Sequence, residues 1–174
     1  MVTSPPIPWT VADLEAYLQA EDWRQADRVT TGLIAQAVEP YSSQFFEETA
    51  IAQLPCSVLT TLDQLWVRYS DNTFGFTPQQ EIYLNEVAQK PLQFAKQVGW
   101  VISDIDVVGF FKFYRSLTFD RHAPRGQFPA HWYWQLSFNR SLWMGGFGTG
   151  RGAGYINPGL LDALMLRLER CGFV

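Results

Sequence analysis

A helical domain is predicted by three features of the chain. Apolar residues recur at the 3.6-residue period through much of the first hundred positions, capping chemistry marks where runs start, and Pro or Gly marks where they stop. Thr10 and Asp13 read as an N-cap and its N3 partner, ahead of a face carrying Val11, Leu14, Tyr17 and Leu18. A second helix should carry Trp23, Ala26, Leu33, Ile34 and Ala37 and stop before Pro40. Residues 41–53 are polar with embedded Phe45, Phe46 and Ile51, and read as a loop or a short helical turn. After Pro55, Ser57 is expected to cap a helix bearing Val58, Leu59, Leu62, Leu65, Trp66 and Tyr69, which Ser70-Asp71-Asn72 ends by turn chemistry.

The next start is the clearest. Thr77 at N-cap, Pro78 at N1 and Gln80 at N3 spell a capping box, and Phe76 stands where a hydrophobic staple would. Pro91 opens a further short helix with Phe94 and Val98, closed by Gly99. From Val101 the pattern changes. Phe111, Phe113, Leu117 and Phe119 share alternate positions, which by itself permits a strand as readily as an irregular loop. At the end of the chain, Leu161, Leu164, Met165 and Leu168 share one face of a helix over Leu160 to Arg170. Asp162 lies near its start, and Arg167 and Arg170 near its finish, as the helix dipole favours.

At 174 residues the chain is large enough to bury one core, and a single domain is expected. Aromatic residues are abundant at 16%, whereas no apolar run approaches the roughly 20 residues that cross a bilayer. No signal peptide is visible in MVTSPPIPW. Cys56 and Cys171 are too few to define a disulfide framework, nothing suggests an oxidising compartment, and a cytoplasmic location is expected. The net charge of −4 is unevenly spread: residues 1–105 carry 5 basic and 13 acidic side chains, residues 106–174 carry 8 and 4. A basic, aromatic final third suits an anion with a flat apolar body, whether nucleic acid or a porphyrin with propionates.

No catalytic motif is present in the sequence, and no metal-ligand spacing. Asp104 and Asp106 read as a solvated turn, and His122 and His131 as packing or hydrogen-bonding residues. Gly148-x-Gly150-x-x-Ala153 matches a relaxed dinucleotide fingerprint. Tyr155-Ile156-Asn157-Pro158 delays any helix after it, so a connector is the better reading. A flat apolar ligand needs large apolar surfaces and basic groups at the rim. Phe110, Phe111, Phe113 and Leu117 could supply the surface, and Lys112, Arg115, Arg121 and Arg140 the rim. Burying about 400 Å² of macrocycle at roughly 25 cal/mol/Å² gives on the order of 10 kcal/mol gross, from which association costs remove several.

Two blocks carry a resemblance to a known family. Leu65-Trp66, Ser70-Asp71-Asn72 and Phe74-Gly75-Phe76-Thr77-Pro78-Gln79 are followed by Val98-Gly99-Trp100 and by Asp120 to Pro129, with Trp23-Arg24-Gln25-Ala26-Asp27 upstream. In order and spacing these resemble the signatures of the genomes-uncoupled-four family, porphyrin-binding regulators of magnesium chelatase, over roughly residues 11 to 130. The resemblance implies an all-α, single cupped-hand helical domain whose long aromatic-rich loops form an apolar ligand cavity. It places a loop, rather than a strand, before Asp120. It also implies that Ile51 and Leu54 line one wall, that Phe113 holds the place of the family's binding aromatic, and that Gln135 stands where the family has an arginine. Arg140 is the nearest substitute.

The resulting expectation is an N-terminal extension (1–10), a tetrapyrrole-binding core (11–136), and a divergent Gly-rich tail with a C-terminal helix (137–174). Ligand-binding candidates are Ile51, Leu54, Phe110, Phe111, Phe113, Leu117, Arg115, Gln135 and Arg140, and no catalytic residue is assigned. The expected ligand is protoporphyrin IX or magnesium protoporphyrin IX, with a bilin as the variant case. The expected partner is the large porphyrin-binding subunit of magnesium chelatase. Nucleic acid is not expected, nor is catalysis. A monomer is expected, cytoplasmic or peripheral to the photosynthetic membrane, in a divergent stand-alone paralogue of cyanobacterial type. The competing reading is a protein-interaction module whose interface is Trp132-Tyr133-Trp134 and the glycine-rich tail.

Overall fold

The computed structural model describes residues 8–38, 47–102, 111–134 and 158–173. Its elements are α1 (Val11–Gln19), α2 (Trp23–Val38), α3 (Glu48–Ile51), α4 (Cys56–Tyr69), α5 (Phe76–Glu81, continued by a π turn Ile82–Glu86), α6 (Pro91–Gln97), a 3-10 turn (Tyr114–Ser116), α7 (His131–Trp134) and α8 (Pro158–Arg170). Among the described residues the one sheet-like feature is an isolated antiparallel bridge between Val101 and Phe111. The all-α fold expected from the sequence is the fold observed.

Several ends form as the local sequence dictates. Thr10 is extended, its side chain accepts from the Asp13 backbone N–H, and Asp13 accepts from the Thr10 N–H at 2.8 Å, completing the capping box. Asp71 and Asn72 take left-handed backbone (φ 53° and 58°), while Ser70 Oγ accepts from the Phe74 N–H at 2.8 Å. Pro91 occupies the first turn of α6. Gly99 (φ 76°) closes that helix beneath the Trp100 N–H, which donates to the Ala95 carbonyl at 2.8 Å.

Two expected caps are replaced. Pro55, extended and without an N–H, takes the N-cap position of α4, so Ser57 falls inside the helix. At α5 the helix starts two residues early, after Gly75, and the Thr77–Gln80 box is absent. The acceptor comes from α4 instead: Asp63 Oδ1 accepts the Thr77 N–H at 2.8 Å and Oδ2 accepts its hydroxyl at 2.6 Å. A partly buried carboxylate satisfies both donors at once, and burial raises the Asp63 pKa. Gln80 turns inward, its amide donating to the Met165 carbonyl.

The two family-like blocks are fastened to each other. The Gly126 N–H donates to the Thr73 carbonyl at 2.8 Å, and the Gly75 N–H to the Phe128 carbonyl at 2.9 Å. Gln79 Nε2 spans the carbonyls of Gly126 (3.0 Å) and Pro129 (2.9 Å), and the Phe128–Pro129 peptide is cis. Around this clasp runs a continuous chain of rings. Trp23 packs on Trp66 and Phe74, and both of these meet Phe128, which stacks on Phe119; Phe119 touches Tyr114, and Tyr114 touches Trp134. The chain continues through Trp100 and Phe94 to Tyr83. Pairs of this kind contribute about 0.5–1.5 kcal/mol each beyond area burial, so the signature blocks are mainly a folding device.

Helix α8 packs on α3, α5 and α6. The Tyr83 hydroxyl donates to Asp162, and Arg167 Nε donates to the Leu54 carbonyl at 2.7 Å. A disulfide between Cys56 and Cys171 joins the start of α4 to the residue after α8. Two cysteines are too few to define a disulfide framework from the sequence, yet they form this one crosslink. They lie 115 positions apart, and only the return of α8 to the core brings them together.

Candidate functional site

The aromatic loop is built on a stapled stem. The Lys112 N–H donates to the Trp100 carbonyl at 2.9 Å beside the Val101–Phe111 bridge, and Trp134 Nε1 donates to the Lys112 carbonyl at 3.1 Å. Phe111 is therefore driven inward, fully buried against Tyr133 and Trp134. Two residues on, Phe113 faces out with 48% of its surface exposed, and the Arg115 guanidinium lies 5.2 Å from its ring centroid. A cation held over an exposed aromatic offers a flat apolar contact and a positive charge side by side. Leu117 closes the turn, 6% exposed.

The remaining expected site residues are distributed differently. Ile51 and Leu54 are sealed in the core, and in this arrangement neither presents surface to a ligand. Phe110, Gln135 and Arg140 lie outside the described residues, as do Asp104, Asp106 and the glycine-rich run. Arg121 is engaged elsewhere: it forms a two-point ion pair with Glu21 and approaches the Trp23 ring. His122 is exposed beside Asp120, at 3.3 Å. Trp132, Tyr133 and Trp134 are buried, so they do not form the exposed interface that the interaction-module reading requires.

A group that the sequence does not single out stands behind the turn. Asp27, on α2, is completely buried. Its Oδ1 accepts the Ala130 N–H at 2.8 Å and the His131 N–H at 3.1 Å; its Oδ2 accepts the His131 N–H at 3.0 Å and the Tyr114 hydroxyl at 2.9 Å. Burial pushes the Asp27 carboxyl up to about 7, against the pull of these donors and of Arg28. Burial, with a contribution from Arg28, depresses His131 to about 4, and the ring packs 4.5 Å from that of Tyr114. The available signal was Asp27 itself, an acid at the end of the Trp23–Asp27 block and one residue after buried Ala26.

The recesses among the described residues include two small ones. One of about 270 Å³ runs between α3 and α8, lined by Ala52, Ala163, Leu166, Arg167, Arg170 and Glu48 among others. The other, of about 120 Å³, lies between Trp23 and Arg121. Both fall below the roughly 300–1,000 Å³ typical of pockets that enclose a drug-sized ligand.

The profile of the GUN4-like family matches residues 9–144, past the Pro129 at which the sequence resemblance stops. The "Tetrapyrrole-binding protein, chloroplastic" of Arabidopsis thaliana is 30% identical over 129 residues, 71% of this chain and 43% of that protein. The ycf53 protein of Pyropia yezoensis is 28% identical over 119 residues, 67% of this chain and 48% of its own length. The chain thus spans about half the length of the curated relatives it matches. GUN4 of Chlamydomonas reinhardtii superposes with a TM-score of 0.64 at 21% identity, covering 95% of this chain and 93% of the other. The ligand-free structure of Arabidopsis thaliana GUN4 gives a TM-score of 0.60 at 21% identity over 94% and 95% of the two chains. The clasped signature blocks, the helical fold and the family profile agree: this chain belongs to the GUN4-like family.

Proposed function

We propose that this chain is a non-enzymatic tetrapyrrole-binding protein that takes protoporphyrin IX or magnesium protoporphyrin IX and regulates magnesium chelatase through its large porphyrin-binding subunit. The observation that carries the reading is the Phe113–Arg115 pair, a half-exposed aromatic ring with a guanidinium beside it on the stapled loop. The ring suits the macrocycle face and the cation suits a propionate. Membership of the family supports it, as does the name of the Arabidopsis relative, a tetrapyrrole-binding protein. Phe111 and Leu117 then support the turn from within. Ile51 and Leu54 form a wall that opens as α3 shifts, and Phe110, Gln135 and Arg140 complete the site. The core domain is assigned to residues 11–136.

The test is titration with protoporphyrin IX, following the Soret band and the quenching of tryptophan emission, with biliverdin run alongside. Saturable micromolar porphyrin binding, followed by stimulation of chelatase, supports the proposal. Binding of biliverdin alone would reassign the ligand to a bilin, and binding of neither would refute a tetrapyrrole function.

A further inference from the structure

Tyr114 sits between the two side chains assigned to the ligand and points the opposite way. Phe113 is extended (φ −63°, ψ 140°), so consecutive side chains diverge as the chain enters the 3-10 turn. Seating Tyr114 inward, against Phe119, His131 and Trp134, turns Phe113 and Arg115 outward. The inward seat is fixed by the hydroxyl donating to Asp27, the same carboxylate that receives the N–H of Ala130 and the first N–H of α7, that of His131. One buried acid on α2 therefore ties together the ligand turn and the aromatic helix behind it.

We propose that Asp27 and Tyr114 form an internal latch that positions Phe113 and Arg115 for the tetrapyrrole, and that affinity falls when the latch carboxylate takes up a proton. The inference rests on the function proposed above and names a regulation of that site. Asp27's hydrogen-bond partners are donors, an arrangement that suits the ionised acid, and a charge-assisted hydrogen bond is roughly twice as strong as a neutral one. Burial brings the carboxyl to about 7, inside the working range of pH. The groups facing it keep their state across that range. Burial and the Asp27 charge hold the Tyr114 phenol far above its ordinary value, so it remains a donor. His131 stays neutral, and the neighbouring Arg28 of α2 favours the ionised carboxylate.

Tyr114→Phe tests this, because it removes the hydroxyl and keeps the ring. Protoporphyrin IX affinity is measured from pH 6 to 8 for both proteins, so that comparison at each pH cancels the titration of the ligand's own carboxylates. The expected result is a loss of about tenfold at pH 8 that shrinks to about twofold at pH 6. Without ligand, amide exchange of residues 111–117 should rise in the variant while that of 56–69 stays unchanged. Asp27→Asn, close in shape and always neutral, should hold the lower affinity at every pH. Parallel pH profiles for the two proteins, or unchanged exchange at 111–117, would overturn the latch. Raised exchange in the variant, with no tetrapyrrole bound by the unaltered chain, would instead refute the proposed function and with it the ligand half of this inference.

Discussion

Replacing Phe113 by Ala should weaken porphyrin binding tenfold or more while leaving the fold intact. A phenylalanine presents on the order of 200 Å² of surface, and 48% of this one is exposed, so about 100 Å² is free to be covered. At roughly 25 cal/mol/Å² that area is worth about 2.5 kcal/mol if a flat ligand covers all of it. Alanine keeps part of the contact, which brings the expected loss to about 1.5–2.3 kcal/mol, or roughly ten- to fiftyfold in Kd. Because the ring lies at the surface, its truncation should cost the fold only about 0.5 kcal/mol, so binding and stability separate cleanly. Soret titration gives the affinity, and thermal unfolding of the same samples gives the stability. Phe113→Trp provides the converse, since a larger ring should hold or improve the affinity. A folded Phe113→Ala protein that binds within twofold of the unaltered chain would show that this ring is not part of the site.

Cys171→Ser, or reduction, opens a loop of 115-residue separation, worth about 5 kcal/mol in the chain-entropy view. Scanning calorimetry should show a drop on the order of 10 °C, and no shift on adding reductant would mean the bond contributes nothing. At Gly126 (φ 76°) a Cβ would come 2.8 Å from Ile82 Cδ1 and 3.2 Å from Val98 Cγ1, within the clasp. Gly126→Ala should therefore cost about 2–3 kcal/mol in denaturant unfolding, and a neutral result would dismiss the close approach. Stability against pH should expose two opposed titrations. Asp27, raised in the fold to about 7, contributes stability that is complete below about 4 and lost as pH rises toward 7. His131, depressed to about 4, contributes stability that is complete above about 6.5 and lost as pH falls toward 4. Asp27→Asn should then make stability rise with pH across this window relative to the unaltered chain, and His131→Gln should make it fall. Equal slopes in the two variants would contradict the assignment.

Features that depend on neighbouring residues were legible in the sequence. The Thr10–Asp13 box, the turn at Asp71 and Asn72, the Pro91 start, the Gly99 stop and the amphipathic face of α8 follow from short-range backbone chemistry. Features made by distant partners were not. Thr77 reads as a cap because nothing local reveals that Asp63 arrives from the preceding helix to accept its hydrogen bonds. The Asp27 carboxylate meets Ala130 across 103 positions, and Cys56 meets Cys171 across 115. The site shows the same division. An aromatic loop with cations could be read from composition and family resemblance. Which phenylalanine faces out could not, because the Val101–Phe111 bridge decides it.

The crosslink also changes what a broken chain would be. With Cys56 and Cys171 joined, everything between them is one covalent ring. A protease that cuts once within that ring converts it to an open strand without releasing any piece, so α8 remains attached to the core it packs on. Such nicked protein would retain its full mass in a gel run without reductant and separate into two fragments when reductant is added. Cleavage on the N-terminal side of Cys56 has no such protection: whatever precedes the cut, α1 to α3 for a cut between Ile51 and Cys56, would then be held by packing alone.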